Sequence, residues 1–491
     1  MYELNEETVI KAIRRMRTLG ADALRWEVTE AVQELPKKLL ETISAFSNMQ
    51  GGTIILGLSE KNGFRPAEGF DADRMYAQMQ TIGDAFTPVV RMEVERMRFD
   101  GRTMVVARVP EMPGRLRPCY ITRRGQYDGA FVRSDDGNRH LTPYEVDRLS
   151  ESQYQPQHDI EPVEAAAIDD LDAGTLEAIV ARARELSPRV FGKVSDETLL
   201  MQLGVLTRVN DRLCPTIAGL MAAGTFPQKY FPRLVIIFSV YQGVDKVEAS
   251  TGRLCCLTSK EIIGSIPEML LETSALVRQW MNTAAVIEGA LRKEIPDYSL
   301  EAVREAVANA LQHRDYSPEG RGSQVRINMY ADHLEIISPG GLYGSATEES
   351  LGKDGISSAR NEFLSRLLTY TPFNSGFVAQ NRGTGFMVIE SALAKSLVPP
   401  PIVKDTITNF VLTFKKRRLR SDEADGKIWE DIDKAILGAL GEHSSLSVKD
   451  LVRMSGLSRS TIGNHIRRLA ADRKLEPTEP KGSPKQRYRS I

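Results

Sequence analysis

Two polar stretches interrupt the apolar patterning of this chain: ESQYQPQHDIEPVEAAAIDDLD at 151–172 and the charge run KKRRLRSDEADGK at 415–427. Such stretches bury too little apolar surface to offset the entropy lost on ordering them. Each therefore reads as a linker, and the sequence around it must close its own cores. At 491 residues the chain exceeds what one hydrophobic core usually organises. The expectation is a multidomain α+β protein. Residues 1–150 read as one α+β domain, 151–169 as a linker, 170–295 as a mainly helical middle region and 296–414 as an α/β sandwich. Residues 415–427 then form a second linker and 428–491 a small carboxyl-terminal domain.

Periodicity fills in these blocks. Val9, Ile13 and Met16 make a helical stripe that Gly20 stops, and Leu39, Leu40, Ile43 and Phe46 make a second. Gly51-Gly52 ends that helix, and Thr53 to Leu58 reads as a buried strand. The stretch VRMEVERMRFDGRTMVVARV alternates apolar and polar on both sides of Asp100-Gly101, which predicts a hairpin. In the middle region one segment, RLVIIFSVY, is strongly strand-like. Beyond residue 296 come a helix, the strands SQVRINMY and HLEIISP, a Gly-rich loop, more helix and a last strand, TNFVLTF.

Charge is balanced overall, 64 Lys+Arg against 65 Asp+Glu, so any nucleic-acid footprint must be local. It is local at the carboxyl terminus, where residues 443–491 hold 11 Lys+Arg and 4 Asp+Glu. The four cysteines include no CxxC pair, and the adjacent Cys255 and Cys256 are poorly placed for a structural disulfide. Reduced thiols in a cytoplasmic protein are expected. None of the six histidines stands at zinc-finger spacing from a cysteine pair. The acidic start MYELNEETVI has no apolar signal core, and no run approaches the roughly 20 apolar residues of a membrane span.

The segment REAVANALQHRDY (304–316) places Glu305 and Asn309 one turn apart on a helix, opposite Val303, Val307, Ala310 and Leu311. Alone, this pair could be a solvated polar face. Two Gly-rich turns follow in order, ISPGGLYG (337–344) after a strand and NRGTGF (381–386) before a helix. Glycines there let backbone amides approach phosphates. With these motifs, residues 300–414 resemble the GHKL-type ATP-binding region of proteins with a RecG-like C-terminal domain. The resemblance implies that Glu305 orients or activates water and that Asn309 ligates Mg²⁺. It further implies that Gly340, Gly341 and Gly344, and Gly383, Thr384 and Gly385, wrap ATP. The family's aspartate at the first box is replaced by Ser338-Pro339, which leaves adenine selectivity and turnover open.

In the first domain, LETISAFSNMQGGTIILGLSE resembles the Schlafen AlbA-like domain over roughly 20–150. Arg115, Arg117, Arg123, Arg124, Arg133 and Arg139 crowd its later half, either as phosphate-binding groups or as a solvated basic face. Some Schlafen relatives are metal-dependent nucleases built on three acids. The corresponding positions here are Asp22, Glu27 and Glu60, with Thr29 where relatives carry a lysine.

The last segment reads as a winged helix-turn-helix. Ser447 is placed to cap one helix and Ser458 the next, with Ser455-Gly456 between them. Ile462, Ile466 and Leu469 mark the inward face of the second helix, leaving Arg459, Ser460, Asn464, Arg467 and Arg468 outward for DNA. Lys481 and Lys485 in a β-wing would meet phosphates.

The whole order resembles bacterial ATP-binding transcriptional regulators. That implies a nucleotide-responsive protein using ATP and Mg²⁺ and binding double-stranded DNA, with RNA as a second possible partner, a homo-oligomeric state and no membrane association. The alternative is a metal-dependent nuclease effector that cuts RNA or DNA under nucleotide control, of the kind used in defence.

Overall fold

The computed structural model describes the chain except residues 1–4, 20–24, 135–136, 247–255, 289–290, 349, 354–357, 380–384, 397, 418–425, 444, 456–458, 480–485 and 491. For 18–19, 284–288, 291–295, 426–431, 442, 459–461 and 464 it describes the backbone only. The chain divides into two compact units, Met1–Gln155 and Pro156–Ile491.

The first unit is built on a four-stranded sheet of β1 (Trp26–Thr29), β2 (Gly52–Leu56), β3 (Glu93–Phe99) and β4 (Arg102–Val109), in the order β1-β2-β4-β3. β1 runs parallel to β2, and the remaining pairs are antiparallel. The expected hairpin joins β3 to β4. Asp100 and Gly101 take φ of 48° and 77°, the left-handed pair that a two-residue turn between twisted strands requires. Helix α1 (Glu6–Leu19) lays Val9, Ile13 and Met16 against Val28, Ile55 and Val106 on one face of the sheet. Helix α2 (Lys38–Asn48) puts Leu39, Ile43 and Phe46 on the other.

α2 ends in a polar lock. The Asn48 carboxamide donates to the Cys119 and Phe131 carbonyls at 2.8 and 3.1 Å and accepts from the Cys119 N–H at 2.6 Å. Gly51 follows at φ +73° against the Val109 carbonyl, where a Cβ would not fit. The Asn-x-x-Gly-Gly signature is thus explained by packing. Asn48→Ala should cost about 3 kcal/mol, because it strands buried donors and acceptors. The check is loss of hydrogen-exchange protection in β2 and β4; unchanged protection would show that the lock is dispensable.

The second unit departs from the expected layout. Its main sheet has six strands: β5 (Ile236–Val240), β6 (Thr258–Ile262), β7 (Val325–Met329), β8 (His333–Pro339), β9 (Ile402–Asp405) and β10 (Asn409–Lys415), ordered β6-β5-β7-β8-β10-β9. β5 pairs with β7 in parallel, Ile236 opposite Val325. The middle region therefore supplies two strands of the same sheet, and one apolar core runs from Val163 to Phe414. The middle region, expected as mainly helices with one strong strand, has those helices and contributes two strands to this sheet. That region also holds a hairpin, Leu206–Val209 with Arg212–Pro215, turned at Asn210 (φ 49°) and Asp211 (φ 60°).

The polar stretch expected as a linker at 151–169 is corrected. Asp159 is fully buried and accepts the Leu364 N–H at 2.9 Å, and Glu161 pairs with Arg321. These contacts hold the stretch against the fold despite its low hydrophobicity. Helices α3 (Ile266–Trp280), α4 (Leu300–Gln312) and α5 (Gly385–Lys395) contribute Ile266, Met269, Ala306, Leu311, Ile389 and Leu393 to the same core.

A separate small core gathers Ile436, Leu440, Leu451, Ile462, Ile466, Leu469 and Leu475. It joins α6 (Gly426–Glu442), α7 (Val448–Ser455) and α8 (Arg459–Ala471) to the short antiparallel pair β11 (Leu475–Pro477) and β12 (Tyr488–Ser490). Ser447 caps α7 by accepting the Asp450 N–H at 3.1 Å. Three helices and a β-wing make the winged helix expected from the sequence.

Candidate functional site

α4 starts at Ser299, whose hydroxyl accepts the Ala302 N–H. Its apolar residues face the sheet, which leaves Glu305 and Asn309 half-buried on the other side. α5 begins against that side. A Cβ built on Gly385 would lie 2.9 and 3.0 Å from the Asn309 carboxamide and 3.1 Å from Glu305 Oε1. The structure thus brings Glu305, Asn309 and Gly385 together. Burial pushes the Glu305 carboxyl above the usual carboxylate range, and Arg304, which donates to Glu305 Oε2 at 3.0 Å, opposes that shift. The Asn309 carboxamide makes no hydrogen bond among the described residues. Gly383 and Thr384 lie outside the described residues.

The first Gly-rich turn is tied to the far end of α4. Ser338 donates to the Ala310 carbonyl at 2.8 Å, and the Asp315 N–H donates to the Pro339 carbonyl at 2.8 Å. Gly340 (φ +87°) and Gly344 (φ +69°) are left-handed, and Gly341 lies so close to the Thr406 carbonyl that no side chain fits. These glycines are required by the protein's own backbone. Buried residues that sequence reasoning missed hold the turn: Arg360 donates to the Gly341 carbonyl at 3.0 Å, and Asn361 donates to the Gln312 and Arg314 carbonyls at 2.9 and 2.8 Å. Asp405 accepts the Leu342 N–H at 2.7 Å. ARNEF offers no periodic signal. Burial and the Arg360 charge lower the pKa of His313, at the end of α4, to about 4, so it is neutral at physiological pH.

In the first unit, the Glu27 carboxylate is engaged by Arg133 at 2.7 Å, a guanidinium that also reaches Asn138. Glu60 is exposed, and Asp22 lies outside the described residues. Among the described residues no cluster of three His, Cys, Asp or Glu is arranged to hold a metal. The arginine crowd is largely spent on internal pairs, Arg117 with Glu111, Arg124 with Glu41, Arg133 with Glu27 and Arg139 with Glu145. Arg115 and Arg123 are exposed and make no ion pair among the described residues.

On the winged helix, Ile462, Ile466 and Leu469 are buried and Arg467 is exposed. Arg468 points back into the fold, its Nη2 lying 2.6 Å from Asp433 of α6. The side chains of Arg459, Ser460 and Asn464 lie outside the described set, as do Ser458, Lys481 and Lys485.

Residues 22–142 match the Schlafen AlbA_2 family, 322–414 the family described as "Putative ATP-dependent DNA helicase recG C-terminal", and 430–475 the winged helix-turn-helix DNA-binding family. The chain joins these three modules. The RecG-type match begins after α4, so Glu305 and Asn309 stand just ahead of it. The AlbA_2 match encloses the Asn48 lock and the paired arginines, and the winged-helix match ends at Leu475, the first residue of the wing.

The crystal structure of the DIP2311 protein from Corynebacterium diphtheriae is 19% identical, covering 99% of this chain and 97% of its own, at a TM-score of 0.41. The solution structure of the N-terminal domain of a "Putative ATP-dependent DNA Helicase RecG-related Protein" from Nitrosomonas europaea is 22% identical, covering 28% of this chain and 95% of its own, at a TM-score of 0.22. No curated protein matches the chain. Among the described residues no helix is long and apolar enough to cross a membrane.

Proposed function

We propose that this is a nucleotide-responsive DNA-binding protein that regulates transcription, with Mg-ATP as the ligand of the RecG-type module and duplex DNA as the ligand of the winged helix. The observation that carries this reading is the convergence of Glu305, Asn309 and Gly385 at the start of α5, within a chain whose carboxyl terminus is a basic winged helix. The residues present fit such a ligand. A side chain at Gly385 would crowd the Asn309 carboxamide, and its absence leaves the helix start open to a phosphate approaching the backbone N–H groups.

Mg-ATP would supply the polyphosphate charge and the scissile bond. Asn309 offers the metal one neutral oxygen, which suits Mg²⁺ because that ion keeps several waters and takes phosphate oxygens. Glu305, with its pKa raised by burial, is suited to accept a proton from water. The nuclease alternative is the weaker reading, because the Glu27 carboxylate is already engaged by Arg133.

The test is a DNA titration of the full chain with and without Mg-ATP, followed by electrophoresis of the recovered duplex and of an RNA of matched sequence. The expected result is a nucleotide-dependent change in affinity with both substrates intact. Metal-dependent cleavage that Glu27→Ala and Glu60→Ala each remove would overturn the ranking in favour of a nuclease.

A further inference from the structure

Arg417 stands inside the charge run KKRRLRSDEADGK, which on sequence grounds is solvated linker, yet its guanidinium is turned into the protein. One arm, Nη2, donates to the Ser396 carbonyl at 2.6 Å and the other, Nη1, donates to the Ser455 carbonyl at 2.8 Å. Ser396 is the residue after α5, and Ser455 is the last residue of α7. A single planar fork therefore closes the carboxyl ends of two helices, where unpaired carbonyls and the helix dipoles both favour a cation. The Arg417 N–H also donates to the Asp297 carbonyl at 3.0 Å, which fixes the base of the side chain. Burial lowers its pKa to about 10, so it is charged at neutral pH.

The two carbonyls belong to different modules. α5 starts at Gly385, against Glu305 and Asn309, and ends at the Arg417 fork. An 11-residue helix is a rigid rod of about 16 Å, so displacement of its start by a ligand is delivered to its end. α7 is the helix that precedes α8 in the winged helix. α6 packs on α5 as well, and the Arg417 fork joins the α5 terminus to α7 directly.

We propose that Arg417 is the coupling residue of this protein, transmitting occupancy of the Glu305–Asn309–Gly385 cleft through α5 to the winged helix and so setting its affinity for DNA. This rests on the nucleotide and DNA readings given above. Coupling between two sites is reciprocal, so nucleotide must alter DNA affinity and DNA must alter nucleotide affinity by the same factor. Arg417 contacts neither ligand on this view, and its loss should remove the factor while leaving each separate affinity nearly intact.

The experiment uses the full chain, a fluorophore-labelled mixed-sequence duplex at fixed salt, and Mg-ATP. Duplex affinity is measured with and without nucleotide, and nucleotide affinity with and without duplex, for wild type, Arg417→Ala and Arg417→Lys. Wild type should show a factor in the range of about 5 to 150, as site-to-site coupling usually does. In Arg417→Ala that factor should fall to about 1, with nucleotide affinity in the absence of DNA unchanged. Arg417→Lys keeps the charge but cannot fork to two carbonyls, and should retain only part of the factor. It also keeps the proposal testable if the alanine variant frays the winged helix. A wild-type-sized factor in both variants overturns the proposal and leaves the functional reading standing. A wild type that binds no nucleotide or no duplex, or binds both without mutual effect, overturns the functional reading and this inference with it.

Discussion

Asn309→Ala is expected to weaken Mg-ATP binding by about 10- to 100-fold, the loss that follows from removing a contact to a charged group worth about 1.5–3 kcal/mol. Glu305→Ala is expected to leave binding measurable and to remove whatever hydrolysis the wild type shows, since a general base acts only in the transition state. The two residues sit one turn apart and both touch the space above Gly385, yet the predictions separate them. Gly385→Val should be worse than either, because its Cβ would stand about 3 Å from both side chains and a β-branched residue cannot withdraw from that contact. Isothermal titration of the three variants decides the matter. Wild-type affinity in Asn309→Ala and Gly385→Val together would remove the cleft from consideration.

The Glu305 pKa adds a pH dependence to the same site. Burial raises it, so the ionised form needed to accept a proton appears only as pH climbs through that raised value. Any ATPase activity should therefore rise with pH along a limb displaced above that of an ordinary carboxylate, and the limb should vanish in Glu305→Gln. A turnover rate that is flat from acid to neutral pH would argue against Glu305 as the base.

What the sequence made legible was local. Helical spacing placed Glu305 and Asn309 on one side of α4, put Ile462, Ile466 and Leu469 inside the winged helix, and identified the Asp100-Gly101 turn. Each of these depends on residues within a turn or two of one another. Pairings across long separations were not legible. No local pattern announces that Ile236 lies beside Val325, so the middle region read as a separate block although its strands complete the six-stranded sheet. The same holds for charge: six arginines in one stretch look like a phosphate-binding face, and only the fold shows that Glu27, Glu41, Glu111 and Glu145 meet four of them. Arg417 is the sharpest case, because composition assigns it to solvent and geometry assigns it to two helix ends.

Asp433→Ala is expected to loosen the winged helix and to lower DNA affinity by about 10- to 100-fold, at a cost of about 1–3 kcal/mol, the usual result of leaving a buried polar group such as the His465 ring without its partner. Asp433 is buried on α6, and its two carboxylate oxygens serve different residues of α8. Oδ1 lies 2.7 Å from Nδ1 of the fully buried His465, while Oδ2 accepts from Arg468 Nε and Nη2 at 3.1 and 2.6 Å. One carboxylate thereby fixes both the depth and the rotation of α8. The sequence places Arg468 on the DNA-facing side, whereas this pairing gives it a positioning role, and salt dependence distinguishes the two. A phosphate contact, the role that exposed Arg467 can take on the DNA-facing side, changes the slope of log affinity against log salt by about 1 when removed. Loss of a positioning residue lowers affinity with the slope nearly unchanged for the molecules still folded. Arg467→Ala should accordingly flatten the slope, and Arg468→Ala should reduce thermal stability of the winged helix together with affinity. If Arg468→Ala instead flattens the slope with stability intact, Arg468 leaves Asp433 to bind DNA and the positioning role is wrong.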